Sequence, residues 1–332
     1  MIQVNETTSR TPTITVESKS AGGAEKETIE SIRKNAPFQY AAQNRMVTHA
    51  DYSSLVLRNF SSLISDIKAW GGEDNVVKEY GAVFMSVLFN SDIPQSTVDS
   101  TKTAILDLAE QLSIASFALK FADPVKTFVE LDLKFQFNER LSSLTLTTVK
   151  TQVEDTIRQY FRDNTGKFDQ AFRRSNVLTL VDEVSPAVLS SRSDIKMQQR
   201  FTPTLGLQSN HTLKFPVEIQ SQDDENYVVT SSNFIFQNVN CTIRNKLNSN
   251  ILQVINLTDN RVLVDNVGNY APSTGYVYLV GLQIDSITGG QTFLKLSVVP
   301  ANQSLLVPQR NDVLEYDESR SQITGITTTA TN

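Results

Sequence analysis

The chain has 332 residues, 39% hydrophobic and 20% charged, the composition of a folded globular protein of about two domains; bulk disorder is excluded. Its 36 acidic and 30 basic residues leave a net charge of -6, which argues against a general nucleic-acid or anionic-membrane surface. No apolar run reaches the roughly 20 residues a spanning helix needs, no basic start precedes an apolar stretch, and a single cysteine, Cys241, excludes an internal disulfide.

Residues 2–5 and 13–17 (IQVN and TITVE) read as strands. Two lone strands make no independent sheet. Residues 1–21 are therefore expected to be a β arm or the remnant of an upstream domain, and the chain to be the C-terminal part of a longer protein. A first helix is expected from about Ala24 to Lys34, with Ile29 and Ile32 on one face. Pro37 disfavours helical geometry at Ala36 and is expected to stop it. Thr48 and Asp51 have capping-box spacing, and Tyr52, Leu55, Val56 and Phe60 then form the apolar stripe of a second helix. Ser62–Trp70 and Gly81–Phe89 flank a loop rich in glycine and acid and read as a hairpin. After Pro94, Ser96-Thr97-Val98-Asp99 carries a second N-cap signature, leading a helix of about five turns through Ile105, Ala109 and Leu112.

Val125–Asn138 alternates as a strand, Val149, Val153, Ile157 and Tyr160 share a helix face, Ser175 is placed to cap a short helix, and Ala187–Phe201 reads as a strand. Residues 22–203 are thus expected to be an α+β region with helices on one face of an antiparallel sheet. From Thr204 helical periodicity disappears. Short β-branched runs alternate with turn clusters such as Asn248-Ser249-Asn250, Gly268-Asn269 and Gly289-Gly290, which predicts an all-β, sandwich- or barrel-like domain over 204–316. Residues 317–332 lack a patterned apolar face and are expected to form a flexible tail that frays or is captured by a partner.

Chemistry is sparse. His49 and His211 are the only histidines, and neither neighbours a nucleophile motif. One cysteine and two isolated histidines supply no tetrahedral zinc set. Neither Asp223-Asp224-Glu225 nor Glu73-Asp74 has EF-hand spacing, and no phosphate-cradling glycine motif occurs. No catalytic, cofactor-binding or metal residue is assigned, no cofactor is expected, and the chain is read as not an enzyme. Trp70 reads as a sheet-end anchor or an interface hot spot. Arg45 is placed to bond the carbonyls ending the first helix or to pair with Asp51, and a structural role is favoured. Tyr227, Tyr270, Tyr276 and Tyr278 would suit sugar stacking, which makes a glycan-binding tail module a rival reading.

The stretch around the first two helices adds something spacing does not. Gly22-Gly23, Arg33-Lys34-Asn35-Ala36-Pro37, Asn44-Arg45-Met46-Val47-Thr48 and Asp51-Tyr52 resemble the signature of the baseplate J-like family of contractile phage tails. Ala24 departs from it, since many relatives have an acid directly after the glycines. Trp70-Gly71-Gly72-Glu73-Asp74 and Gly81-Ala82-Val83-Phe84 are similar to the version in large wedge proteins of T-even-type phages, and the whole chain is similar to the C-terminal half of such a ring-forming protein. The resemblance implies a virion structural component of the tail baseplate, assembled in the host cytoplasm. It further implies dimer contacts within a ring around the hub, other wedge proteins as partners, and rearrangement on contraction. Nucleic acid, membrane and small-molecule substrates are not among the implied partners. Gly22, Gly23, Arg33, Ala36, Pro37, Asn44, Arg45, Thr48, Asp51, Tyr52 and Trp70 carry the motif, with structural or interface roles. Type VI and other contractile injection systems use the same module and are a near alternative.

Overall fold

A computed structural model describes residues 29–75, 77–113 and 117–328. The chain forms two compact units, Met1–Lys120 and Phe121–Asn332. The expected arm over 1–21 and the motif glycines Gly22 and Gly23 lie outside the described residues.

The first unit runs α1 (Ile29–Ala42), α2 (His49–Phe60), β1 (Ile64–Gly71), β2 (Ala82–Phe89), α3 (Gln95–Leu112) and β3 (Ala118–Phe121), with a sheet ordered β1-β2-β3. Its first helix corrects the expected stop. α1 continues through Pro37 to Ala42, although an interior proline removes one i→i−4 bond. The stop comes at Gln43 and Asn44, which take left-handed backbone (φ 46° and 57°), while the Arg45 N–H returns to the Ala42 carbonyl at 2.9 Å. Buried Ala42 and Met46, the latter donating its N–H to the Leu112 carbonyl at 2.9 Å, anchor this end. That tertiary tie outweighs the local preference at Ala36.

α2 forms as its caps dictate. The Asp51 N–H donates to Thr48 Oγ1 at 3.3 Å, the Thr48 N–H donates to Asp51 Oδ2 at 2.8 Å, and Tyr52, Leu55 and Val56 are buried. Thr48→Ala is expected to cost about 1 kcal/mol and Asp51→Ala a similar amount, with the double variant below the sum because both belong to one box. Thermal melts of the four proteins test this; full additivity would mean two independent bonds. α3 starts one residue after Pro94 rather than at Ser96. Pro94 is the extended N-cap, and its carbonyl accepts from the Thr97 and Val98 N–H groups. The β1–β2 loop depends on Gly72, where a Cβ would lie 2.0 Å from the Glu79 carbonyl oxygen.

The second unit contains β4 (Val125–Phe137), α4 (Leu146–Asn164), β5 (Phe172–Arg173), α5 (Arg174–Glu183), β6 (Val188–Phe201) and β7 (Gln208–Lys214). There follow β8 (Val229–Ser231), β9 (Phe234–Phe236), β10 (Val239–Asn245), β11 (Leu252–Asn256), β12 (Val262–Val264) and β13 (Gly268–Ala271). The last strands are β14 (Tyr276–Gln283), β15 (Ser286–Ile287), β16 (Leu294–Val298), β17 (Leu305–Leu306), β18 (Asp312–Tyr316) and β19 (Gln322–Thr327). Most lie in an 11-stranded sheet ordered β12-β11-β10-β8-β16-β6-β4-β18, with β9 beside β10, β15 beside β9 and β19 beside β4. Val149, Val153 and Ile157 of α4 and Val177 and Val181 of α5 share one core with Leu131, Leu133 and Phe135 of β4. The smaller sheet, β13-β14-β7, sends Leu213, Val277 and Leu279 into that same core.

The α+β class holds, but the compact units divide at Lys120/Phe121 rather than at 203/204. The long sheet crosses that position, because β6 pairs antiparallel with β16, Phe201 opposite Leu294 and Met197 opposite Val298. Two smaller local signals also gave way. α5 has Arg173, not Ser175, at its N-cap, and Gly268-Asn269, expected as a turn, opens β13. The expected flexible tail is corrected as well. Residues 322–327 form β19, parallel to β4, with Gln322 opposite Asp132 and Thr327 opposite Phe137. Period two is weak there because the strand is held by its ladder and by one close approach: a Cβ on Gly325 would fall 2.5 Å from Leu146 Cδ1 and 2.8 Å from Phe135 Cζ.

Candidate functional site

The motif residues of the first unit fall into a buried group and an exposed group. Tyr52 is fully buried with its hydroxyl beside Ser113, and burial raises its pKa. Trp70 is buried, donates Nε1–H to Asn75 Oδ1 at 2.9 Å, and stacks on Phe84 with centroids 6.1 Å apart. It is a sheet-end anchor that orients the Gly-Gly-Glu-Asp loop. Tyr52 and Ser113 also line a groove of about 380 Å³ with Leu106, Ala109, Phe117 and Leu119.

Arg45 does not pair with Asp51, whose carboxylate accepts instead from the Val47 and Thr48 N–H groups. The exposed Arg45 guanidinium bonds its neighbour Gln43 Oε1 at 3.1 Å, and Arg58 NH1 holds Asn44 Oδ1 at 3.1 Å. Arg33, Ala36 and Pro37 are exposed on α1. Together with Ile29 (64% exposed), Ile32 (46%) and Tyr40 (85%) they form a stripe at helical spacing, so the face expected to carry Ile29 and Ile32 is an exposed one. Only Ile29 and Ile32 of that stripe were legible as a face, because Pro37 was read as its end.

Of the possible reactive groups, His211 Nε2 and Ser209 Oγ lie 2.9 Å apart on β7, and the imidazole packs on Phe201 with centroids 4.5 Å apart. Burial lowers the His211 pKa and favours neutral imidazole. Among the described residues no cluster of three or more His, Cys, Asp or Glu is placed to hold a metal. The four tyrosines do not share a face. Tyr270 is buried, Tyr227 lies under the Arg244 guanidinium (4.5 Å), and Tyr276 and Tyr278 stack on the outer side of β14.

A charged constellation that local patterns did not show lies on β4, β6, β16 and the C-terminal edge. Asp317, buried at the end of β18, accepts from Lys295 Nζ (2.6 Å), Gln198 Nε2 (2.8 Å) and Arg200 NH2 (3.0 Å). Glu130 accepts from Gln198 Nε2 (2.6 Å), Ser297 Oγ (2.7 Å) and Arg320 Nε (3.4 Å). Arg200 also lies 3.5 Å over the Phe128 ring. Asp317 is strongly desolvated, yet the bonds from Lys295, Ser319 and Gln198 hold its pKa far below the ordinary carboxylate range.

Asp312, five residues earlier on the same strand, behaves oppositely. Burial pushes its pKa up to about 6, only partly offset by the Gln309 N–H, Lys214 and Arg310. A raised folded pKa means a contribution that is full below about pH 4 and lost as pH rises through 6. Asp312→Asn is therefore expected to add about 1–2 kcal/mol at pH 7 and to flatten the stability profile between pH 4 and 6. Urea midpoints at pH 4, 5, 6 and 7 test it; equal midpoint shifts at every pH would show that the carboxyl is solvated.

Two family models match parts of the chain. Residues 48–117 match the family described as "Baseplate structural protein gp6, C-terminal domain I", and residues 126–200 match "Baseplate structural protein gp6, C-terminal domain III". A particular relative follows: the chain is 25% identical over 198 residues to "Baseplate wedge protein gp6" of Enterobacteria phage T4. That match covers 58% of this chain and 29% of the relative, so the chain spans less than a third of the wedge protein it resembles. These matches support a similarity to the baseplate wedge family.

Proposed function

We propose that the chain is a structural component of a contractile phage tail baseplate. The observation that carries this reading is the order of the two matches, C-terminal domain I within the first compact unit and C-terminal domain III within the second. In this reading the chain associates with itself through dimer contacts, helps link wedges into a ring around the hub, binds other wedge proteins, and resides in the virion rather than turning over a substrate. In this reading the motif residues of the first unit divide into a structural set and an interface set. Buried Tyr52 and Trp70 and the capping box of Thr48 and Asp51 hold that unit together, while Arg33, Ala36, Pro37 and Arg45 are exposed and available to a neighbour. A ring requires contacts that close under rotation or alternate about two-fold axes, each burying at least about 1,000 Å².

The test is mass by multi-angle light scattering, for the chain alone and with the other wedge proteins of its phage. Concentration-dependent oligomers and a co-migrating complex are expected. A strictly monomeric chain that co-migrates with none of them overturns the reading.

A further inference from the structure

The face of the large sheet that looks away from α4 and α5 is patterned by charge. On β4, Leu131, Leu133 and Phe135 enter the core, so Asp132, Lys134 and Gln136 point the other way. β6 alternates in the same sense, with Ile195 in the core and Arg192 and Asp194 exposed. The antiparallel register sets Asp132 directly opposite Asp194 and Lys134 directly opposite Arg192. β19 adds uncharged Gln322 beside Asp132 and Thr324 beside Lys134. The face therefore carries an acidic row and, about 7 Å further along the strands, a basic row.

Like charges directly opposite each other across a ladder are destabilising, and this register sets two such pairs one after the other. Little within the chain relieves them. Lys134 Nζ lies 3.4 Å from Asp132 Oδ2, but the two side chains are 38% and 42% exposed, and a pair so open to water is worth less than about 1 kcal/mol. Among the described residues Arg192 and Asp194 form no ion pair. The pattern is costly for one copy alone, and its charges are compensated only when a surface of complementary pattern covers it.

The same face has that pattern. We propose that a second copy of this chain packs on it, related by a two-fold axis that lies in the interface, crosses the strands and passes between the two rows. That rotation keeps each strand column and exchanges the rows, so Asp132 meets Lys134 of the second copy and Asp194 meets Arg192 of the second copy. Each contact occurs twice, the self-complementarity that an isologous interface requires. An axis parallel to the strands would keep the rows in place and set acid on acid, so the charges select one orientation against the other. Exposed charge pairs fix orientation more than affinity, which makes the contact sensitive to salt. This inference rests on the self-association in the proposed function and gives it a surface.

Sedimentation velocity of the full-length chain and two charge-uniform variants tests the contact. Asp132→Lys with Asp194→Lys makes both rows basic, and Lys134→Glu with Arg192→Glu makes both acidic. The wild type is expected to dimerise with rising concentration, and to do so at least tenfold more weakly when salt rises from about 50 to about 500 mM. Each variant alone is expected to stay monomeric. An equimolar mixture of the two is expected to recover a heterodimer, because basic rows then meet acidic rows. Asp132→Asn with Asp194→Asn removes one like-charge row at almost constant size. It is expected to weaken association at least tenfold with no fall in melting temperature, which separates a lost contact from a damaged fold. A monomeric wild type, variants that associate as the wild type does, or a mixture that stays monomeric overturns the proposal. If the chain still joins a complex with wedge proteins in those cases, the baseplate reading stands and only this surface falls.

Discussion

Asp317→Ala is expected to destabilise the second unit by about 3–5 kcal/mol, because it removes the acceptor from a buried, fully engaged charge cluster. The Asp317 side chain is 4% exposed, and Lys295, which donates to it, is 13% exposed. Removing the carboxylate leaves Lys295 and Arg200 facing each other without their common anion, so most of the cost is unpaired positive charge rather than one lost bond. The Ser319 hydroxyl and N–H, at 2.5 and 3.1 Å from Oδ1, also lose the acceptor that fixes the link between β18 and β19. Adding Lys295→Met to Asp317→Ala should recover part of the loss, since the residual charge goes with it. The pH dependence runs opposite to that of Asp312. The Asp317 pKa is depressed, so its contribution is fully present above about pH 4 and drains away as pH falls towards its folded value. Acid unfolding of the wild type should thus be steep below about pH 4 and shallower in Asp317→Ala. Coincident urea transitions for wild type and variant at pH 7 would show that the cluster is solvated and worth little.

Phe172→Ala is expected to cost about 3–5 kcal/mol through a cavity that its neighbours cannot collapse into. Phe172 is fully buried and stacks on Phe161 with centroids 5.4 Å apart and planes 4° apart; Tyr160 meets it edge-on at 6.2 Å. Phe161 stacks in turn on Tyr316 of β18 at 4.3 Å. The cavity would therefore open among α4, the short β5–β17 pair and the C-terminal edge. Phe172→Leu should lose about half as much, because it keeps most of the apolar volume. Differential scanning calorimetry on the full chain reads the result, with the second unit's transition falling by roughly 10 °C for alanine. A shift under about 2 °C would mean that the ring cluster repacks freely.

Legibility followed the range of the forces involved. The Thr48–Asp51 box, the β1–β2 hairpin, the alternation of β4 and the apolar faces of α2 and α4 were readable because each arises within a few residues. The α1 stop was misread because a proline preference worth a few kcal/mol is local, whereas the buried anchors Ala42 and Met46 act across the unit. Of the site residues, Trp70 and Tyr52 are the buried anchors that aromatic side chains between polar stretches suggest. Arg45 departed from expectation because Asp51 is occupied by backbone N–H groups before any guanidinium can reach it.

By itself the sequence determined the helix caps, the class of fold, the scarcity of reactive groups and the motif on the first unit, because these are written in neighbouring residues. The tertiary structure alone decided that β6 and β16 join one sheet across position 204, that Asp317 meets Lys295 and Arg200, and that residues 322–327 lie along β4 instead of fraying. Each of these joins residues far apart along the chain, or distant edges of one sheet. Period and propensity carry no information about such pairings, since the backbone ladder that makes them uses groups every residue shares.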